Sequence, residues 1–556
     1  MRGGPGEDKA VLNLLRDGWI PTRRTSGARD IIRPSQVIDA LSVDPVNALD
    51  WPRADFRIAS LEFLIGLLAT ACPPESYEAW HDWWDEPPSV ETLDAAFAPI
   101  AHAFDLDGDG PRFLQDFEDL VSDSEPVERL LIESPGGSTQ TKNTDLLVRR
   151  DRFRAFGRPA AAMALHTFQS WAPAGGAGNR TGLRGGGPLI TLVVPPAAVE
   201  GQPLRLWHLL WANVPVGGRA PTADELPRVF PWLAPTIESD GNRTVMPETD
   251  AHPLQCWWGM PRRIRLDFSA ATEPRPCDIT GAPDTVQVTG WRQRPRGANY
   301  AGWGKVHPLT PHYTAKPGAE WLAVHPQPGG IGYRHWLGLV TKDAAGLRLP
   351  AASVAEWHDH AYRAEVVRPR DARLLAAGYD MDNMKARGFV EHEMPLPGLT
   401  TPEIRAALDG LASTLVLSAD AVAALLRSAI RQALFSAGAT VKLDAELLSA
   451  ARERLWDATE QPFFDALSGL AAGTSSLGSL CADWHARLRR TALELFDETA
   501  PIDPDVAATG DARRIAAARR RFSFTLAGYG KEGAALFLTL GLAPPETKAA
   551  RKGKST

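Results

Sequence analysis

The sequence predicts an α+β protein, in which a large mixed α/β domain with irregular loops is followed by a C-terminal antiparallel four-helix bundle. Residues 1–400 are rich in proline, glycine and tryptophan and contain short apolar runs, which is typical of strands and helices joined by many turns. From residue 401 alanine and leucine dominate long amphipathic segments, which is typical of packed helices. For this chain of 556 residues we therefore predict domains over 1–400 and 401–545, and a disordered tail over 546–556.

Apolar periodicity predicts the individual elements. Two helices and two strands are expected in the first domain, in this order, at 58–71, 159–171, 189–194 and 263–270. Four amphipathic helical segments are expected in the second, at 401–437, 443–472, 476–499 and 511–541. Thr401 and Pro402 have the cap and proline-first pattern of a helix start. We expect the first of the four segments to be a helical hairpin or a kinked pair, because it contains Gly410.

Composition excludes several classes of protein. The net charge of −7 argues against a generally basic nucleic-acid-binding protein but is compatible with local basic loops. The four cysteines are scattered without a CxxC pair, so we expect no disulfide framework, no zinc site, and a reducing, cytoplasmic location. The apolar run 61–72 is too short to span a membrane and contains Glu62, and the first residues lack the apolar core of a signal peptide.

A glycine-rich segment, PAGGAGNRTGLRGGGP, covers residues 173–188. A nucleotide-binding loop needs a strand before it and a helix after it, whereas here a predicted helix precedes and a predicted strand follows. The GK[ST] sequence of a P-loop is also absent. The remaining alternatives are a structural loop and a loop whose backbone recognises a polyanion or a base edge. Arg180 and Arg184 favour the second alternative.

Three further stretches contain residue types suited to nucleic acid. Arg292, Arg294 and Arg296 lie in a short segment between tryptophans and a tyrosine, which fits either a solvated hairpin tip or a basic finger that reaches phosphates or a groove. The segment 377–389 combines a polar amide, a methionine and basic residues. The last predicted helix has a basic flank, which fits a solvated face or a weak polyanion track, formed by Arg513, Arg514, Arg519, Arg520 and Arg521.

The sequence contains no convincing catalytic constellation. His358, Asp359 and His360 could serve a hydrolase, but no HExxH or GxSxG motif accompanies them. The segment from Asp105 to Asp116 begins like a calcium-binding loop, yet it lacks the glutamate expected at its twelfth position. An Asp-Gly turn is the favoured interpretation. We expect no metal and no cofactor.

Five stretches, taken in order, resemble motifs of the CasA family, the large subunit of the type I-E CRISPR surveillance complex Cascade. The resemblance extends from about residue 11 to 540 and rests on LLRDGWIPTR, LLIESPGGSTQTKNTDLL, FQSWAPAGGAGNRTGLRGGGPLITLV, GANYAGWGKVHPLTPHY and AGYDMDNMKARGF. It implies a non-enzymatic protein that reads a protospacer-adjacent motif in double-stranded DNA and starts strand separation. It also implies guide RNA, other Cascade subunits, small helical subunits and a helicase–nuclease as partners. We expect the isolated chain to be monomeric.

The resemblance implies roles for particular residues. A glycine loop that enters the minor groove matches Gly175, Gly176, Ala177 and Gly178, with Arg180 beside it. The basic finger matches Arg292, Arg294 and Arg296. A wedge that opens the first base pair matches Asp382, Asn383 and Met384, with Lys385 next. A loop that docks near the guide RNA matches Lys142, Asn143 and Leu146. The arginine flank of the bundle would help to hold DNA.

Two other functions stay open at this point. One is a histidine-dependent phosphohydrolase that acts at residues 358–360. The other is a general nucleic-acid-binding scaffold outside any CRISPR system. Motif-dependent binding of duplex DNA distinguishes the first interpretation from both.

Overall fold

The computed structural model describes residues 11–145, 148–176, 178–197, 201–357, 372–382, 384–397, 401–435, 446–501 and 511–545. These residues form two compact units. The first contains the described residues up to Pro328, residues 350–357 and Arg373–Glu393. The second contains Gly329–Leu349, Ala372 and the described residues from Met394 onward. The predicted domain limits at 400 and 545 stay predictions.

The first unit is built around a helix that is buried on nearly all sides. Its helices include α1 Ala54–Ala71, α2 Tyr77–Asp85, α3 Val90–Phe97, α4 Gly137–Thr141, α5 Arg158–Trp171, α6 Leu206–Trp211 and α7 Leu226–Val229. Almost every residue of α1 is buried, as expected for a core helix. Around Phe63 of α1 an aromatic cluster packs edge to face, with Phe104 at 6.1 Å, Phe113 at 5.9 Å and Trp258 at 5.7 Å. Helix α5 packs against α1 and starts with Pro159 in its first turn.

The strands form small sheets rather than one large sheet. They are β1 Ile20–Arg24, β2 Arg29–Ile32, β3 Val46–Leu49, β4 Glu125–Pro126, β5 Phe156–Gly157, β6 Ile190–Val194, β7 Arg263–Pro276, β8 Pro283–Arg294, β9 His312–Tyr313, β10 Leu322–Ala323, β11 Arg348–Leu349, β12 Arg373–Asp382 and β13 Lys385–Pro395. In the first unit β1 lies between β2 and β3, and β8 pairs with β4, β5 and β7. Strand β12 lies between β13 and β6, and it pairs with β6 antiparallel from Arg373 opposite Val194 to Ala377 opposite Ile190.

The second unit is mainly helical. It contains α8 Trp336–Leu339, α9 Pro402–Leu434, α10 Glu446–Ala471, α11 Leu477–Thr499, α12 Asp511–Leu526 and α13 Gly530–Thr539. Helices α10 and α11 run antiparallel, because Arg454 near the start of α10 pairs with Glu498 near the end of α11. Helix α12 runs antiparallel to α9, since the Arg514 Nε donates to the carbonyl of Ala433 at 2.8 Å. Tyr333 stacks on Phe463 of α10 with ring centroids 4.6 Å apart.

The predicted fold class is confirmed, with two differences among the helices. The predicted break in the first helical segment is wrong, because α9 continues through the exposed Gly410, where a helical glycine meets no neighbouring atom and costs only about 1 kcal/mol relative to alanine. The last segment instead divides into α12 and α13. Gly528 and Gly530 stand between them with φ of +91° and +76°, a conformation that ends a helix.

One described helix, α9, is long and apolar enough to cross a membrane by length and composition alone, with a mean hydropathy of 1.5. Half of the most apolar 18-residue stretch of this helix is buried in the structure. The buried side includes Leu411, Leu415, Val422 and Leu426, which face α10, α11 and α12. The apolarity of α9 is therefore accounted for by its place in the core of the helical unit.

Candidate nucleic-acid interface

The C-terminal end of α5 contacts three surface features of the first unit. Phe168 packs against Trp291 of β8 with ring centroids 5.6 Å apart. Trp171 stacks on Phe389 of β13 at 5.8 Å and an interplanar angle of 11°. The Trp171 carbonyl also accepts a hydrogen bond from the amide of Gly187 at 2.7 Å. The glycine-rich segment, the basic finger strand and the β12–β13 hairpin are thus fixed on one rigid element.

The first half of the glycine-rich segment is an open, tight turn. The Gly175 amide donates to the Asn179 carbonyl at 3.1 Å, and the Asn179 amide donates to the Gly176 carbonyl at 2.8 Å. Gly176 and Gly178 have φ of +69° and +85°, which explains glycine at both positions. A Cβ added at Gly176 would meet no atom within 4 Å, so this backbone lies in open space. Ala177 lies outside the described residues.

In the second half of the segment, close packing is a further reason for glycine. A Cβ at Gly182 would lie 2.4 Å from the Ser170 carbonyl oxygen, and one at Gly186 would lie 2.6 Å from the Pro173 Cα. At Gly187 it would lie 2.7 Å from the carbonyl oxygen of Tyr379 in β12. These glycines attach the segment to α5 and to the hairpin.

The two arginines of this segment have different environments. Arg180 donates from its Nε to the Ser239 hydroxyl at 3.0 Å and is half-buried. The expectation that Arg184 reaches a polyanion is wrong, because it is buried and pairs with Glu62 of α1. Burial alone would raise the pKa of Glu62, but Arg184 and His307 lower it to about 2. The pair therefore anchors the segment to the core.

The three arginines of the basic finger also differ. The Nε of Arg292 donates to Asp267 at 2.9 Å and its Nη1 to the Ser122 carbonyl at 2.6 Å, so it is held within the sheet. Arg296 pairs with Asp240 at 2.6 Å on the surface, where both side chains are more than half exposed. Arg294 is exposed at the end of β8, and no acceptor or carboxylate contacts its guanidinium among the described residues. Arg294 is thus the freest of the three cations.

The glycine loop and the basic finger touch each other. The Arg296 amide donates to the Gly178 carbonyl at 2.9 Å, and a Cβ at Gly178 would lie 3.4 Å from the Pro295 Cβ. The backbone of Arg296 has φ of +67° at this contact. Features separated by more than a hundred residues in sequence therefore form one continuous surface.

The β12–β13 hairpin has the predicted wedge residues at its tip. Asp382 ends β12 and Lys385 begins β13, while Met384 between them is 56% exposed. Asn383 lies outside the described residues. The stem is held by the Tyr379 hydroxyl, which donates to Asp55 at 2.6 Å, and by an ion pair between Arg387 and Asp380 at 2.6 Å. An exposed apolar side chain thus stands on an anchored hairpin.

The predicted docking loop follows the short helix α4. Lys142 is exposed, and Asn143 has φ of +50°. The Asn143 side-chain oxygen accepts from Arg150 at 3.0 Å, and Arg150 also pairs with Asp145 at 2.6 Å. Leu146 lies outside the described residues. Arg150 therefore gives the described part of this loop a defined shape.

The basic flank of α12 is divided between structural and solvent-facing arginines. Arg514 donates to the Ala433 carbonyl, at the C-terminal end of α9, where a cation is favourable. Arg519 makes two hydrogen bonds of 2.7 Å to Asp497. Arg513, Arg520 and Arg521 are exposed, with no ion-pair partner among the described residues. The second group alone is available for a partner.

The described residues do not support a catalytic or a metal-binding site. His358 and His360 lie outside the described residues. Within the part of the chain that the structure describes, no group of three or more histidine, cysteine, aspartate or glutamate side chains could hold a metal. The Asp107 carboxylate accepts a hydrogen bond from the Leu12 amide at 2.8 Å, and Asp116 forms an ion pair with the buried Arg263 at 2.6 Å. The carboxylates of this loop therefore point to separate partners.

Several residues that support the glycine loop and the basic finger were not predicted from the sequence. Ser239 and Asp240 contact Arg180 and Arg296. The Ser239 amide also donates a hydrogen bond to the Arg296 carbonyl at 3.2 Å, which fixes this segment against the finger. The buried Arg262 donates from its Nε to the Arg180 carbonyl at 2.5 Å. No sequence signal marks these residues, because their roles depend on contacts across 56 to 82 positions of chain.

Comparisons with known proteins give the family. The model of the CRISPR-associated protein Cse1 family matches residues 13–495. A structure of Thermus thermophilus CasA (Cse1) is 16% identical, with a TM-score of 0.64, and the match covers 93% of this chain and 99% of that one. Thermobifida fusca Cse1 is 17% identical with a TM-score of 0.66, covering 96% and 99%.

A chain of a CRISPR RNA-guided surveillance complex is 16% identical with a TM-score of 0.63, covering 93% of this chain and all of that one. These likenesses show a shared fold over nearly the whole length. Because the family model also matches most of its residues, the chain belongs to the CRISPR-associated protein Cse1 (CasA) family, as its motifs predicted.

Proposed function

We propose that this protein is the non-catalytic large subunit of a type I-E CRISPR guide-RNA surveillance complex. In this role it recognises the protospacer-adjacent motif in duplex DNA, starts strand separation, stabilises the opened DNA and recruits the helicase–nuclease. The observation that carries the proposal is the convergence of the glycine loop, the basic finger and the hairpin on the end of α5. Family membership supports it independently.

The glycine loop is suited to reading a minor groove with its backbone. The amides of Gly176 and Gly178 have no hydrogen-bond acceptor among the described residues, so two donors remain for a ligand. The minor-groove edges of A·T pairs present only acceptors, whereas the amino group of guanine adds a donor. The open space around Gly176 lets the backbone approach the base edges closely.

In the finger, Arg294 is our candidate for the side chain that enters the groove. Its side chain is exposed and has no hydrogen-bond or ion-pair partner among the described residues, whereas Arg292 is held by Asp267. A narrow minor groove concentrates negative potential and attracts arginine. Arg296 would need to exchange its surface pair with Asp240 for a phosphate, and such an exposed pair contributes at most about 1 kcal/mol.

The hairpin is suited to opening the duplex beside the motif. Met384 is an exposed apolar side chain at a tip, as in proteins that insert a wedge between base steps. Unstacking costs a few kcal/mol per step, and groove contacts together with guide pairing would offset that cost. In the sequence, Asp382 and Asn383 directly precede Met384, and Lys385 follows it.

The remaining features fit the other partners of such a subunit. The loop with Lys142, Asn143 and Leu146 would dock near the guide RNA. The exposed arginines 513, 520 and 521 would face DNA or the small helical subunits, and their effect would depend strongly on salt.

The test is a binding measurement with a surveillance complex assembled with and without this chain. Target duplexes carry a randomised adjacent motif. We expect binding to require this chain and to favour a small set of motifs. Changing Asn383 and Met384 together to alanine should abolish duplex opening while complex assembly stays intact. The matched control, Val43→Ala, removes an exposed apolar side chain elsewhere in the first unit and should change neither property.

Equal binding of all motifs would contradict the proposal. Metal-dependent phosphate hydrolysis that is lost on changing His358 and His360 would support a phosphohydrolase instead. Tight duplex binding by the isolated chain, independent of any guide complex, would support a general nucleic-acid scaffold.

A further inference from the structure

Arg262 is a buried arginine that connects the two ends of the glycine loop. Its Nη2 donates to the carbonyl of Pro173, just before the loop, and its Nε donates to the carbonyl of Arg180, just after it, at 2.5 Å. One guanidinium therefore holds together the two chain segments that enter and leave the glycine loop, at Pro173 and at Arg180. The fork of donors in an arginine suits two acceptors at fixed positions, which a lysine ammonium does not.

Helix α5 fixes Arg262 from below. The side-chain amide of Gln169 accepts from the Arg262 amide at 3.0 Å and donates to its carbonyl at 2.9 Å. The guanidinium also lies over the ring of Phe168, 5.4 Å from its centroid. Backbone and side chain of Arg262 are thus both determined by a rigid helix.

The loop and the finger pack directly around this residue. A Cβ at Gly175 would lie 2.9 Å from the Arg262 Nη1, so the loop backbone rests on the guanidinium. A Cβ at Gly297 would lie 2.0 Å from the carbonyl oxygen of Pro261, so the base of the finger is in contact with the neighbouring residue. Arg262 therefore lies where the glycine loop and the finger meet.

The charge of Arg262 is not neutralised by a carboxylate. Among the described residues no aspartate or glutamate lies within ion-pair distance of it. Burial lowers the pKa of Arg262 to about 10, which still leaves it protonated at neutral pH. A buried charge held by carbonyl groups alone costs stability relative to an apolar side chain, so core stability does not account for it.

We propose that Arg262 is a positioning residue that sets the shape of the glycine loop and its register against the basic finger, and thereby the discrimination between adjacent motifs. The inference rests on the proposed function. Arg262 does not touch DNA in this scheme; it acts through the backbone of Pro173, Gly175 and Arg180, which it contacts. Its positive charge also lies directly behind a surface that meets a polyanion.

The experiment compares Arg262→Lys with Arg265→Lys in the assembled surveillance complex. Arg265 lies on β7 with similar burial, and it donates to the Asp116 carbonyl at 3.1 Å and to Asp119 at 2.7 Å, away from the loop. We expect R262K to lower the affinity ratio between the preferred motif and a non-preferred motif by about tenfold, with complex assembly unchanged. R265K should keep the wild-type ratio.

Hydrogen exchange gives a second readout that needs no DNA. In R262K the amides of Gly175 and Asn179 should exchange about tenfold faster, while R265K leaves them unchanged. Arg262→Gln, which removes the charge and keeps an amide donor, serves as a second variant. A wild-type ratio in R262K, or unchanged exchange in the loop, would overturn the proposal. So would failure of both Arg262 variants to fold while R265K folds, because Arg262 would then serve the whole unit.

The motif preference of the wild-type complex distinguishes failure of this proposal from failure of the proposed function. If the wild type shows no preference among motifs, the proposed function fails and Arg262 has no discrimination to set. If the wild type discriminates and the Arg262 variants discriminate equally well, only the inference about Arg262 fails.

Discussion

At the scale of single residues, glycine serves two physical purposes within the glycine-rich segment. Gly182 and Gly186 have no room for a side chain, because a Cβ would meet backbone atoms at less than 3 Å. Gly176 has room but has φ of +69°. A density of glycine in the sequence does not separate these cases, since both depend on atoms far away in the chain.

Gly176→Ala tests the functional purpose at this scale. The left-handed backbone should cost about 1–2 kcal/mol of unfolding free energy. In the proposed complex the added methyl group also enters the minor groove, so motif-dependent affinity should fall by about tenfold or more. Both quantities are measurable, by denaturant unfolding and by duplex binding with the assembled complex.

Gly27→Ala is the matched control for that substitution. Gly27 has φ of +87° and also meets no atom within 4 Å, but it lies in the turn between β1 and β2. Its variant should lose the same stability and keep full affinity for DNA. Equal affinity of the Gly176 and Gly27 variants would exclude close backbone contact at Gly176.

At the scale of elements, we predict that the hydrogen bond that anchors the stem of the β12–β13 hairpin controls how well the tip of the hairpin opens DNA. Tyr379→Phe removes the buried hydroxyl that donates to Asp55 at 2.6 Å. Leaving that carboxylate without this donor should lower the unfolding free energy by about 1–3 kcal/mol. Opening of the first base pair, followed by a fluorescent base analogue in the assembled complex, should become slower.

Tyr313→Phe provides the comparison for Tyr379→Phe. The Tyr313 hydroxyl has no hydrogen-bond partner among the described residues, and its side chain is 37% exposed. Its variant should therefore match the wild type in stability and in base-pair opening. A Tyr379 variant that opens DNA at the wild-type rate would show that the anchor does not control the tip.

Local patterns predicted most of the elements but not their interruptions. The apolar periods at 58–71 and 159–171 correspond to α1 and α5, and the β6 strand corresponds to the run at 189–194. Gly410 and Gly528 look alike in sequence, yet only Gly528 has a positive φ. Which glycine ends a helix depends on its surroundings: a Cβ at Gly528 would lie 2.8 Å from the Phe537 ring of α13, whereas a Cβ at Gly410 would meet no atom within 4 Å.

At the scale of the whole molecule, the candidate site is a product of long-range contacts. The sequence identified the glycine loop, the finger and the wedge separately, and the family resemblance supplied their order. Their common attachment to Phe168 and Trp171 could not be predicted, because aromatic residues at a helix end suit many partners. The same holds for Arg262, which stands in a run of arginines with no distinguishing pattern.

The core of the first unit also contains histidines that are held neutral. Burial lowers the pKa of His166 and His307 to about 4 and that of His312 to about 3, whereas each starts from 6.5. Between pH 6.5 and these values the unfolded chain binds more protons than the folded one. The contribution of these neutral histidines to the unfolding free energy is therefore fully present above pH 6.5 and is lost as the pH falls toward 4. Glu62 adds a loss in the lower window, from 4.5 to about 2.

We accordingly predict that the unfolding free energy falls by roughly 2 kcal/mol for each such histidine between pH 7 and pH 5. Denaturant unfolding at several pH values, followed by tryptophan fluorescence, measures this slope. His166→Leu replaces an imidazole that packs 5.7 Å from Phe63 and should make the slope shallower, whereas His102→Leu, at an exposed position, should leave it unchanged. A wild-type slope near zero, or equal slopes for the wild type and the His166 variant, would show that these imidazoles are not buried neutral in solution.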